Sequence, residues 1–153
     1  MRVLRTVFWA MVSLSTVAAL PAAETAGLAA IEAEPKLERR AREALAYARK
    51  SVSLVVKAYH SGDVKKGLEI LAEIQAAVEL AKRSLDETGK DPARSPKEFK
   101  HAEIATRRLL GELQDIEKDL NYDERDKLFE VEQRVSQINQ ELLLGIMTKK
   151  KKK

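Results

Sequence analysis

From residue 36 to residue 147 apolar side chains recur at every third or fourth position, and the recurrence breaks at three places. Ala41, Leu45, Ala48, Val52, Val55 and Tyr59 form one helical stripe and predict a helix over 36–60. Val64, Gly67, Leu71, Ile74, Val78, Ala81 and Leu85, widened by Leu68 and Ala77, predict a second over 63–88. Phe99, Ala102, Thr106, Leu109, Leu113, Ile116 and Leu120 predict a third over 96–120. Leu128, Val131, Val135, Ile138, Leu142 and Gly145 predict a fourth over 124–147, where Leu143, Leu144 and Ile146 make the last turn apolar on several sides.

The breaks have their own chemistry. "HSGD" at 60–63 offers Gly62 for a left-handed helix end and Asp63 as the cap of the next helix. "ETGKDPARSP" at 87–96 is the longest break, punctuated by Gly89 and Pro92. It runs into Ser95-Pro96-Lys97-Glu98, the pattern of a capping box with proline at the first helical position. "NYD" at 121–123 reads as a tight turn with Asp123 as the cap.

The four helices come out nearly equal, at about 25 residues and roughly 37 Å each. Short links at 61–63 and 121–123 make antiparallel neighbours. The expected fold is therefore all-α: an antiparallel up-down-up-down four-helix bundle over 36–148, built from two long hairpins. The competing arrangement is two open hairpins that complete their core by dimerising. The small, Ala-rich face of helix 36–60 and the apolar last turn of helix 124–147 leave both monomer and homodimer open. Thr106, Gly67 and Gly145 in the stripes, and Gly111 in a helix interior, read either as close helix contacts or as a loose, openable bundle.

Ahead of the helices, residues 24–35 are Ala-rich and interrupted by Gly27, and read as a leader or linker, helical at most weakly. Residues 1–23 have the form of a signal peptide: Arg2 and Arg5, then an uncharged stretch over 6–20, then Pro21, Ala22 and Ala23. That stretch is shorter than the roughly 20 residues a spanning helix needs. The expected location is periplasmic or secreted after cleavage, with an uncleaved N-terminal anchor as the alternative.

Charge changes the picture only when divided. The net charge is +4, but residues 1–23 contribute +2 and the run Lys149, Lys150, Lys151, Lys152 and Lys153 contributes +5, leaving −3 for residues 24–148. A basic nucleic-acid-binding face on the body is not implied, and no nucleic acid is expected as a partner. Outside the cytoplasm the lysine run has anionic lipid headgroups or wall polymers as its available counter-charges, and it is the candidate contact with an anionic surface.

Reactive chemistry is thin. The chain has no cysteine, which removes thiolate nucleophiles, disulfides and thiolate metal sites. Glu98-x-x-His101 is half of a carboxylate-bridged di-iron signature, but Lys57 stands three residues before His60 where the second half would need a glutamate. A His101/Met147 haem pair would draw on positions off the core stripes. Glu112, Asp115 and Asp119 recur at helical spacing beside Arg108 and Lys118, as surface ion pairs do. The arginine clusters "ERRAR" at 38–42 and "TRRLL" at 106–110 are flanked by acids that neutralise them in place. No enzyme activity, cofactor or metal is expected. The sequence points to an exported scaffold or interaction module that binds an envelope protein through a helix face. Its alternative is a bundle that carries a small ligand, haem or metal.

Overall fold

A computed structural model describes residues 25–118 and 120–148. The signal-like segment 1–23 and the lysine run 149–153 lie outside the described residues. Five helices pack against each other: α1 Thr25–Glu32, α2 Leu37–His60, α3 Val64–Glu87, α4 Pro96–Glu117 and α5 Tyr122–Met147. The protein is all-α, with no strand among the described residues.

Local chemistry explains where the helices stop. Gly62 takes a φ of 78°, the left-handed conformation that ends α2. Asp63 then caps α3 by accepting the Lys66 N–H at 3.0 Å. Two caps differ from expectation. Ser95 stands at the cap position of α4 but its side chain makes no capping hydrogen bond; its N–H donates to the Asp91 carbonyl at 2.8 Å, and the Glu98 carboxylate goes to Arg42 on α2. At α5 the cap is Asn121, not Asp123: the helix begins at Tyr122, and the Asn121 N–H donates to Glu124 Oε2 at 3.1 Å.

The segment at 24–35 is more than a loose leader. α1 packs on α2 and α3 with Leu28 and Ile31 against the core. A side chain at Gly27 would come within 2.8 Å of the Tyr47 ring, so the glycine lets that ring lie against α1. Glu32 pairs with Arg83 of α3 at 3.2 Å.

α2 and α3 make the most extensive contact. Their antiparallel register is marked by Arg40 with Glu87 at 3.5 Å and by the Tyr59 ring seated over Gly67. Ala41, Ala44 and Ala48 of α2 and Ala77, Ala81 and Ser84 of α3 are all buried. Small residues on both sides allow the axes to close toward the short end of the ~8–10 Å range. The Ala-rich face of α2 is thus spent on α3 within the chain.

α4 and α5 pack differently. They bury Leu109, Leu113, Ile116, Leu128, Val131 and Ile138, all large. Among them sits one polar link: Asn139 Nδ2 donates to the Glu103 carbonyl and to Thr106 Oγ1, each at 2.8 Å. Thr106 is fully buried and its hydroxyl donates to the Ala102 carbonyl at 2.9 Å. The positions that suggest a loose interior are therefore filled: Thr106 by Asn139, Gly67 by Tyr59, and Gly145 by Pro92, which an added Cβ would meet at 3.3 Å. Gly111 is exposed and nothing packs there.

The order around the helices departs from consecutive neighbours. α2 packs on α4 and α3 packs on α5, whereas α3 and α4 touch only slightly and no Cα of α2 lies within 8 Å of α5. The cross-links run in parallel: Arg42–Glu98 then Arg49–Glu112 between α2 and α4, and Glu79–Arg134 then Lys82–Glu141 between α3 and α5. The hairpins thus lie side by side, and the 88–95 link crosses between helices on a diagonal. Its contour, about 26 Å at most, allows this.

Candidate functional site

The charged side chains that look like binding candidates divide between local pairs and links between helices. Arg39 is neutralised in place, by Glu43 at 2.7 Å and Glu34 at 3.3 Å. Arg107 meets Glu103 at 3.6 Å. Arg42, which the sequence expects to be neutralised in place, reaches across to α4 instead, and so does Arg49. Arg42 makes two hydrogen bonds to Glu98, both 2.6 Å, and Arg49 makes two to Glu112 Oε1, at 2.7 and 3.1 Å. The Arg42 guanidinium holds the Glu98 carboxyl below the ordinary carboxylate value, against the opposing effect of burial. Glu112 is therefore an interhelix partner, while Asp115 pairs locally with Lys118 at 3.4 Å. Asp119 lies outside the described residues.

Between the two α2–α4 clamps runs an open groove of about 350 Å³ floored by Leu45, Ala46 and Ala105. Its walls include His101 and Arg108, neither of which has a hydrogen-bond or ion-pair partner among the described residues. His101 and His60 are both exposed, and Met147 is exposed at the end of α5. His101 stands on the solvent side of α4, as its offset from the Phe99–Ala102 stripe predicts. No group of three or more His, Cys, Asp or Glu among the described residues is arranged to hold a metal ion.

One carboxylate stands out from the ion-pair network. Glu132 of α5 is partly buried beside Glu117, and its Oε1 has no hydrogen-bond partner. Burial, and then the charge of Glu117, raise its pKa above the usual value. A raised carboxylate pKa means that the folded chain binds the proton more tightly than the unfolded chain. Its contribution to stability therefore grows as pH falls through the window just above the ordinary carboxylate range. Glu79 and Glu98, whose pKa values are lowered by arginine hydrogen bonds, act in the opposite sense and lose their stabilisation at lower pH. Glu132→Gln should raise stability at neutral pH by about 1 kcal/mol and remove the Glu132 part of the pH dependence. Urea midpoints at neutral and mildly acidic pH measure this; no gain at neutral pH would refute the assignment.

α5 carries the exposed apolar surface. Tyr122 and Phe129 near its start are 82% and 60% exposed, and Leu144 and Met147 near its end are 62% and 70% exposed. The sequence pattern marks only the last turn. Tyr122 and Phe129, seven residues apart and offset from the core stripe Leu128, Val131, Val135 and Leu142, carry the same signal at the start of the helix. The candidate lysines Lys149–Lys153 lie outside the described residues, so the geometry neither joins them to these side chains nor separates them. No helix among the described residues is long and apolar enough to cross a membrane.

Comparison with protein-family models, with curated proteins and with solved structures found no match.

Proposed function

We propose that the chain is an exported, non-catalytic helical scaffold or interaction module of the cell envelope. In this reading residues 1–23 are a cleaved signal peptide, and α2 to α5 serve as a four-helix bundle, antiparallel within each hairpin. The lysine run attaches the molecule loosely to anionic surfaces. The observation that carries the proposal is the outer face of α5, which keeps Tyr122, Phe129, Leu144 and Met147 in solvent while the core is otherwise filled. Large exposed apolar side chains grouped on one side of a helix are what a partner surface requires. The charged groups support it from the other side: Arg40, Arg42, Arg49, Arg83 and Arg134 tie helices to one another and so are spoken for.

The test has two parts. Fractionation with mass measurement should find the chain outside the cytoplasm and lacking about 23 N-terminal residues; an intact cytosolic chain refutes export. Within that compartment, crosslinking from Phe129 should recover one specific envelope protein, and Phe129→Ser should abolish the crosslink from a neighbouring position. Attachment makes its own prediction: deleting 149–153 should weaken binding to anionic vesicles at low salt by two or more orders of magnitude, at about 1 kcal/mol per lysine. Equal sedimentation of the deletion variant would remove the lysine run from the proposal. A Soret band or stoichiometric metal in the purified protein would favour the carrier instead.

A further inference from the structure

The proposed attachment leaves open which part of the folded body meets the surface, and whether any of it enters. Two observations bear on this. Leu143, Leu144 and Met147 are 42%, 62% and 70% exposed and share the outer side of the last turn of α5. Gly145, in the same turn, lies against Pro92, which places this turn beside the 88–95 link and the start of α4.

The charge at that end is also unbalanced. Glu38, Glu87, Asp91 and Glu98 are each paired with a lysine or arginine, and Asp86 and Glu141 share Lys82. Lys36, Lys97 and Lys100 form no ion pair with a described residue. The same end that exposes apolar side chains thus carries uncompensated cations, and five more lysines follow Thr148 in the sequence. The other apolar pair sits in the opposite setting: three carboxylates, Glu117, Asp126 and Glu132, line the cleft beside Phe129 against one arginine, Arg125. An anionic bilayer would repel the Phe129 end and attract the Met147 end.

Resting on the proposed attachment to anionic surfaces, we propose that the last turn of α5 is a bilayer-docking element. Leu143, Leu144 and Met147 enter the headgroup region of an anionic membrane while Lys97, Lys100 and the lysine run hold the molecule down. Neither part is sufficient: a lysine run alone gives salt-sensitive adhesion, and three apolar side chains alone are too small to hold a 153-residue chain. Two weak signals together give stable but reversible docking. The α5 axis then meets the bilayer with its C-terminal turn, and the Tyr122–Phe129 end faces away toward other partners.

The chain has no cysteine, so Met147→Cys in the full chain takes a single polarity-sensitive fluorophore. The dye reports position 147 alone, whatever residues 6–20 do in a membrane. Vesicles of equal parts phosphatidylglycerol and phosphatidylcholine should shift its emission to the blue, and pure phosphatidylcholine should not. The same dye on Tyr122→Cys should stay in water. In the labelled chain, Leu143→Ser with Leu144→Ser should lower the vesicle affinity read by the dye by about tenfold, with helix content by circular dichroism unchanged. A dye at 147 that remains in water while deletion of 149–153 abolishes binding overturns this docking element and leaves the lysine attachment standing. A blue shift that survives that deletion undiminished overturns the lysine attachment and with it the two-part docking proposed here. A shift that appears without vesicles as protein concentration rises overturns the proposal in favour of a second copy of the chain. Absence of binding by the intact chain overturns both.

Discussion

Ala48→Leu should lower the unfolding free energy by about 2–3 kcal/mol. Ala48 is fully buried on α2, within one turn of Ala77 of α3 in the register marked by Arg40–Glu87 and Tyr59 over Gly67. Ala41, Ala44, Ala77 and Ala81 continue the same seam, and none of them is more than 2% exposed. A seam of small residues brings two backbones close, and an added isobutyl group has no space to occupy. It must push the helices apart, and that would disturb every contact along the hairpin, including those of α1. Ala46→Leu is the control: Ala46 is exposed on the same helix, so that change should stay within about 0.5 kcal/mol of the parent. Urea unfolding of the two variants measures the difference. If they fall within 0.5 kcal/mol of each other, α2 and α3 are not in close contact along this line.

That seam shows what periodicity can and cannot say. The spacing of Ala41, Ala44 and Ala48 marks them as inward-facing, and their size is plain in the sequence. Their partner is not, because a stripe fixes which side of a helix is covered and leaves the covering helix undefined. The limits of α2, α3 and α5 fall within two residues of expectation, since Gly62, Pro96 and the 121–123 turn act locally. The order around the helices depends on contacts between residues more than 50 positions apart, such as Arg42 with Glu98. That pair also takes Glu98 out of the expected capping box: the carboxylate binds a guanidinium from α2, and the Ser95 N–H donates to the Asp91 carbonyl instead.

Readings of the surface fared unevenly for the same reason. His101 and His60 are outside the core because their offsets from the stripes place them there. The acids flanking Arg42 in the sequence suggest neutralisation in place, and only the fold shows that Glu98 of α4 is its partner. The raised pKa of Glu132 was invisible because Glu117 belongs to another helix. Tyr122 and Phe129 could have been found: they sit off the buried stripe of α5 at seven-residue spacing, a pattern that needs no partner helix to read.

Leu113→Ala tests the opposite packing logic and should cost about 3 kcal/mol. Leu113 of α4 is fully buried among large side chains, with Leu109 one turn before it and Ile116 nearly one turn after. α4 and α5 pair through leucine, isoleucine and valine, and the Asn139–Thr106 hydrogen bond fixes their register. A truncated leucine there leaves a void that its neighbours cannot fill without moving that buried polar link. The loss therefore combines transfer of about three methyl-sized groups with a cavity term. Leu113→Met keeps the volume and should cost less than about 1.5 kcal/mol. Leu143→Ala removes the same atoms from a side chain 42% exposed on α5 and should cost much less than Leu113→Ala. Denaturant midpoints at constant slope separate the three. A Leu113→Ala loss as small as that of Leu143→Ala would mean the α4–α5 interior closes over the gap. That is the behaviour of a loosely packed, openable bundle, and the filled positions at Thr106, Gly67 and Gly145 argue against it.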